Sequence, residues 1–134
     1  MTYLDAGVVM RLVEGAGTVR APIEARLGTI PDAERILVTS RLSRLECRCK
    51  RLRKNRADRL LLYDGFFSAP EVRIREIDSA VIETATALRA SIGLKTAGAI
   101  HRATAILAAV SEFWTTDNGF LRCTALRTIV FPAV

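Results

Sequence analysis

The chain has 134 residues, half of them apolar, with mixed charge and a net +6, which points to one ordered domain and excludes a disordered one. No apolar run reaches the ~20 residues of a membrane span, and the start, with Asp5 and Glu14 and no basic n-region, reads as carrying no secretory signal. Cys47, Cys49 and Cys123 lack a CxxC spacing, which predicts reduced thiols in a cytoplasm and no zinc site.

In chain order, Tyr3-Leu4 predicts a very short strand ending on Asp5. Val8, Val9, Leu12 and Val13 then follow at helical spacing. Gly15 and Gly17 close that helix, Thr18 is placed to cap a second one to about Leu27, and residues 28–32 carry a turn signal. Ile36-Leu37-Val38-Thr39 has the all-apolar character of a buried parallel strand. Ser40 should cap a long helix with an apolar stripe of Leu42, Leu45, Cys49 and Leu52. A second helix over 55–67, packed through Leu60, Leu61, Tyr63 and Phe67, completes a helical arm at about 40–67. Val72 to Ile77 alternates with period two and predicts a third strand. Asp78 caps a helix packed through Val81, Ala85 and Leu88, and Gly93 ends it.

Residues 94–117 are the stretch around which the chain is organised. Thr96 is a candidate N-cap, and Ile100, Ala103, Leu107 and Val110 form one helical stripe. Phe113-Trp114-Thr115-Thr116 has strand composition, and Asp117 sits where that strand stops. Phe113 and Trp114 are read as core. A short helix or turn at 119–121 and a strand over 128–131 complete the chain. Strands alternating with helices require crossovers, so the prediction is an α/β fold with a mostly parallel sheet and helices on both faces. The two strands ending on Asp5 and Asp117 should flank the topological switch point, where ligands bind.

The charge is local. Eight basic residues and one acid, Glu46, lie between Arg41 and Arg56, which makes that segment +7 and leaves the rest near neutral. Such a stripe suits phosphates, an acidic partner or a solvated helix face. Glu46 borders the buried face of its helix, so its carboxylate needs a cation, a metal ion or hydrogen bonds. A cluster of Asp5, Glu46 and Asp117 has only oxygen ligands, which select Mg²⁺ or Mn²⁺, ions able to activate water at a phosphodiester.

The blocks YLDAGVVMRL, TSRLSRLECR, GLKTAGAIHRATAI and FWTTDNGF resemble the four conserved blocks of the PIN domain, and among PIN proteins the chain is similar to VapC-type toxin ribonucleases. The resemblance covers essentially the whole chain as a single domain. It implies a three-layer α/β/α sandwich and a Mg²⁺- or Mn²⁺-dependent endoribonuclease acting on structured or single-stranded RNA. It also implies a cytoplasmic homodimer silenced by a cognate antitoxin. By position, Asp5, Glu46 and Asp117 match catalytic and metal-binding acids, and Thr115 matches a polar position ahead of the last Asp. The basic residues Arg41, Arg44, Arg48, Arg51 and Lys54 are candidates for RNA binding.

Two positions depart from the pattern. Gly98 stands where the family has its third acid, in the first turn of a helix, where a carboxylate would complement the macrodipole. Gly7 stands where Ser or Thr is usual. Losing a ligand at Gly98 predicts impaired catalysis, through an engineered knock-out, a degenerate enzyme or a site completed by water. The rival reading is a catalytically dead module that binds antitoxin and nucleic acid. A third is an unrelated helical DNA-binding protein that uses 41–56. His101, one turn beyond Gly98, is read as structural or exposed, with acid–base or phosphate-binding chemistry as the functional options.

Overall fold

The computed structural model describes residues 1–132. Its strands are β1 (Thr2–Leu4), β2 (Leu37–Ser40), β3 (Val72–Arg75), β4 (Glu112–Thr115) and β5 (Arg127–Val130). The helices are α1 (Ala6–Glu14), α2 (Gly17–Gly28), α3 (Arg41–Arg53), α4 (Ala57–Phe67), α5 (Ser79–Ile92) and α6 (Thr96–Leu107), with short 3-10 turns at Asp32–Glu34 and Asn118–Arg122. The sheet order is β3-β2-β1-β4-β5, and every pairing is parallel. The chain order and sheet type are those the alternation of strands and helices predicts.

Period-two alternation sorts the strand side chains into two cores. Tyr3, Val38 and Phe113 pack with residues of α5 and α6 on one face. Leu4, Leu37 and Trp114 pack with residues of α1 to α4 on the other. Both faces of the sheet are therefore covered, as an α/β/α sandwich requires. β1 lies between β2 and β4, so the direction of winding reverses between β1 and β4. That crevice is the switch point, and the chain leaves β1 at Asp5 and β4 toward Asp117 there.

Several caps form where the residue types call for them. Asp5, Ser40 and Asp78 accept backbone N–H bonds from Val8, Leu42 and Val81, and Gly93 ends α5 in the left-handed region at φ 78°. Thr18 and Thr96 do not cap: the N-cap positions are Ala16 and Lys95, and neither makes a side-chain cap bond.

Three helical stripes are corrected. In α3 the buried residues are Ser43 and Cys47, whereas Leu45 is 63% and Leu52 60% exposed, Cys49 is exposed and Leu42 is half-buried. The strand sets this register. Thr39 at the end of β2 bonds the Ser43 hydroxyl at 2.6 Å, and Cys47 lies against the carbonyl of Ala6. Those contacts turn the leucine stripe outward. In α4 Tyr63 and Phe67 are buried, but Leu61 is 72% exposed. In α6 only Ala103 of the expected stripe is a buried helix residue. Ile100 is half-buried, Leu107 is exposed, and Val110 is buried beyond the end of the helix. α6 is instead buried at Ala99 and at every residue from His101 to Ala105: its alanines pack into the core against the sheet, while His101 and Arg102 are buried on hydrogen-bond partners.

Candidate active site

Asp5 occupies two roles at once. It caps α1 through Oδ1, which accepts the Val8 N–H at 3.0 Å, and its Oδ2 accepts the hydroxyl of Thr115. Burial raises its carboxyl above the ordinary aspartate range, against the pull of those two hydrogen bonds. The same Thr115 oxygen accepts the Asp117 N–H at 3.0 Å. One fully buried hydroxyl thus ties the end of β1 to the end of β4. Asp117 is exposed and accepts the Gly119 N–H at 2.8 Å, fixing the first residues of the following turn.

Glu46 arrives from α3. Its Oε1 lies 2.6 Å from His101 Nε2, and His101 Nδ1 lies 2.7 Å from the Tyr3 hydroxyl. Asp5, Glu46, His101 and Asp117 line one cavity of about 460 Å³, together with Gly7, Lys95, Gly98, Phe120 and Arg122. Residues up to 117 positions apart in the chain (Asp5 to Arg122) are gathered at the carboxyl ends of β1 and β4. Lys95, Phe120 and Arg122 were not singled out in the sequence. Lys95 sits within the GLKTAG block, but as a lone lysine it carries no signal of its own.

Both glycine departures are matched by neighbours. A Cβ at Gly98 would lie 3.1 Å from the Phe120 ring, and Phe120 is itself buried against Phe113 with centroids 4.7 Å apart. A Cβ at Gly7 would overlap the hydroxyl oxygen of Thr116. The space of one missing side chain is taken by an aromatic ring, and that of the other by a hydroxyl from the loop after β4.

The predicted basic face is largely engaged within the chain. Arg41 pairs with Glu76, Arg44 and Arg48 both reach Asp64 at 3.3 and 3.1 Å, and Arg51 pairs with Glu14. Lys54 lies elsewhere, in a small cavity of about 220 Å³ with Lys50, Arg51, Arg56, Arg59 and Glu14.

With this geometry in place the family follows. The PIN domain family matches residues 2–126. The chain belongs to the PIN domain family. Its fold is similar to that of a toxin–antitoxin complex from Klebsiella pneumoniae, at 19% identity over 100% of both chains and a TM-score of 0.78. It is also similar to VapBC2 from Rickettsia felis bound to a DNA fragment from their promoter, at 13% identity, 98% of this chain, 99% of that one and a TM-score of 0.75. Mycobacterium tuberculosis VapC20, a sarcin-ricin loop cleaving toxin, matches at 12% identity over 92% and 95% of the two chains, with a TM-score of 0.75. At these identities the likeness is one of fold. No curated protein matches the chain in sequence.

PIN nucleases generally use divalent metal ions. The donors around this cavity suit such an ion in kind, being hard carboxylate oxygens. They fall short in number: among the described residues no three Asp, Glu, His or Cys side chains form a group that could hold a metal ion. Gly98 contributes no oxygen, Oε1 of Glu46 is taken by His101, and Asp5 already satisfies a helix end and a threonine.

Proposed function

We propose that this PIN domain is a Mg²⁺- or Mn²⁺-dependent endoribonuclease toxin of a toxin–antitoxin pair, with activity impaired at Gly98. The observation that carries the reading is the gathering of Asp5, Glu46 and Asp117 around one cavity at the switch point of a PIN fold. An ion bound here would require Asp5, Glu46 and Asp117 to close on it from the cavity wall, since as they stand they form no three-ligand group, with water in place of the missing acid. When bound, the ion supplies charge neutralisation and an activated water for attack at phosphorus. The chain's own part is to hold the acids in place: the Thr115 hydroxyl donates to the Asp5 carboxylate and accepts the backbone N–H of Asp117. Lys95 and Arg122 present positive charge at the rim, suited to a substrate phosphate.

A cognate antitoxin as partner is supported by the fold likeness to toxin–antitoxin complexes. A homodimer is supported by the face of α3. There Leu42, Leu45, Cys49 and Leu52 join Ile77 in an apolar groove of about 450 Å³, and a second copy of the chain is the occupant we assign to it. Free thiols at Cys47, Cys49 and Cys123 accord with a cytoplasmic place, and no helix among the described residues is long and apolar enough to cross a membrane.

The second reading, a binding module without cleavage, is favoured by the absence of a three-ligand metal group among the described residues. RNA cleavage with Mn²⁺ decides between them, comparing the protein with its Gly98→Asp, Gly98→Asp/Phe120→Leu and Asp5→Ala variants. The nuclease reading expects weak cleavage, a rise when the acid is restored with room for it, and none for Asp5→Ala. If the protein and both Gly98 variants leave every candidate RNA intact, the binding module stands.

A further inference from the structure

The Glu46 side of the cavity has a support that the proposed chemistry does not use. Tyr3 on β1, His101 on α6 and Glu46 on α3 form a continuous chain of two hydrogen bonds, 2.7 and 2.6 Å long. Tyr3 is fully buried and His101 nearly so, while Glu46 keeps 30% of its side chain exposed at the cavity rim. The chain therefore runs from the core of the sheet to the site.

The carboxylate sets the donor at one end of it. An ionised carboxylate only accepts, so Nε2 of His101 must carry the hydrogen it donates to Glu46. When the ring is neutral, Nδ1 is then an acceptor and the Tyr3 hydroxyl donates to it; in an imidazolium both nitrogens donate and the Tyr3 oxygen accepts, and the chain of contacts is the same. Burial keeps Tyr3 a neutral phenol, raising its pKa well above the ordinary tyrosine value. The ring of Tyr3 is itself clamped, stacked on Phe113 at 5.2 Å and 8°, with His101 edge-on at 5.9 Å. Both nitrogens of His101 are occupied, which leaves none for a substrate proton or a phosphate.

We infer that His101, oriented by the Tyr3 hydroxyl, is a positioning residue that fixes the Glu46 carboxylate at the rim of the candidate active site. Glu46 lies on α3 between buried Cys47 and exposed Leu45, so without this bond its half-exposed carboxylate would be free to turn toward solvent. The inference rests on the nuclease reading for what Glu46 does, but the positioning itself is independent of catalysis. The principle is general: partners that orient ligand carboxylates and imidazoles typically change metal affinity or activity by ~10–100-fold when removed.

Two measurements on the full chain test it. The first is nitrogen–proton correlation NMR of His101, without metal. The expected spectrum is that of an Nε2–H tautomer, with Nδ1 shifted by Tyr3→Phe and Nε2 shifted by Glu46→Gln. A neutral Nδ1–H ring, or a ring indifferent to both variants, overturns the inference whether or not the protein cleaves RNA. The second is Mn²⁺ titration by calorimetry. Tyr3→Phe preserves the stacked ring and should weaken Mn²⁺ binding severalfold. His101→Leu should weaken it by ~10-fold or more, and His101→Gln, which keeps an N–H donor near the Nε2 position, should recover much of the loss. Equal Mn²⁺ affinity in the protein and His101→Leu overturns the inference and leaves the nuclease reading intact. A protein that binds no Mn²⁺ and cleaves no RNA, yet gives the expected NMR responses, retains the positioning and loses the nuclease reading.

Discussion

Introducing at Gly98 the carboxylate that the proposed nuclease reading calls for is a packing problem as well as a chemical one. The Phe120 ring stands 3.1 Å from where a Cβ would sit, and Phe120 cannot retreat freely because Phe113 lies behind it. Gly98→Asp alone is therefore expected to be destabilised by about 1–3 kcal/mol, from the overpacking that a well-filled site resists. Paired with Phe120→Leu, the aspartate should fit with less strain and raise Mn²⁺ affinity above that of either single variant. Thermal unfolding and Mn²⁺ calorimetry on the three variants check this, and additive effects would show that ring and residue 98 do not compete for space. Thr115 is the complementary case. Its hydroxyl serves both Asp5 and Asp117, so Thr115→Val keeps the strand's shape while leaving Asp5 one partner short. The expected result is a loss of about 1–3 kcal/mol in unfolding free energy, read from denaturant curves.

At the level of elements, α6 is tied to the segment before β5 through a residue that has no acidic partner among the described residues. Arg102 is fully buried and donates to the Thr128 hydroxyl at 2.9 Å and to the carbonyls of Cys123 and Leu126 at 2.7 and 2.9 Å. Its guanidinium also lies 4.8 Å over the Phe113 ring. These bonds anchor the segment that leads into β5. Lysine lacks the planar fork that reaches separate acceptors, so Arg102→Lys should cost about 2–4 kcal/mol and lower Tm by roughly 10 °C. A shift within about 1 °C would mean that β5 is held without it. The outward face of α3 carries a different expectation. Leu45→Glu with Leu52→Glu should leave monomer stability within about 0.5 kcal/mol per site, since both side chains are exposed. If the proposed homodimer forms through this face, the same pair shifts sedimentation from dimer to monomer; a dimer unchanged by the pair, or a parent protein that sediments as a monomer, removes the second copy from this face.

Across the whole molecule, the basic arm is tied to the body through Glu14 at the end of α1. Burial would raise this carboxyl, but the Tyr63 hydroxyl and the guanidinium of Arg51, with Arg59 nearby, hold it below the ordinary glutamate range. A carboxyl held low in the folded state adds stability that is complete above its unfolded pKa, near 4.5, and is lost as the pH falls through the folded value. Acid unfolding should accordingly soften in Glu14→Gln, with a smaller fall in stability below pH 4.5 and a lower plateau above it. An acid limb of unchanged slope would remove Glu14 from that account.

Much of the fold was legible because it depends on local chemistry. Asp5, Ser40 and Asp78 cap helices with their own side chains, Gly93 takes a left-handed turn, and alternation in Val72–Arg75 follows from the pleat alone. The α3 stripe was misread for the opposite reason. Helical spacing identifies a common face but not its direction, and the leucines share their helix with a Ser43–Cys47 face that the end of β2 and α1 draw inward. The places of Asp5 and Asp117 just past the ends of β1 and β4, and of Glu46 at the edge of the buried face of α3, were legible. Lys95, Phe120 and Arg122 were not, because each joins the cavity only through the meeting of α6 with the loop after β4.

The order of strands and helices, the parallel sheet and the acids at the ends of β1 and β4 were determined by the sequence itself, since periodicity, capping and crossover geometry act over a few residues or along one connection. Which face of α3 meets solvent, and how Tyr3, His101 and Glu46 come into line, was decided only when separate elements packed. Those contacts join positions 55 and 98 residues apart, and a pattern read along the chain carries no measure of distance through space.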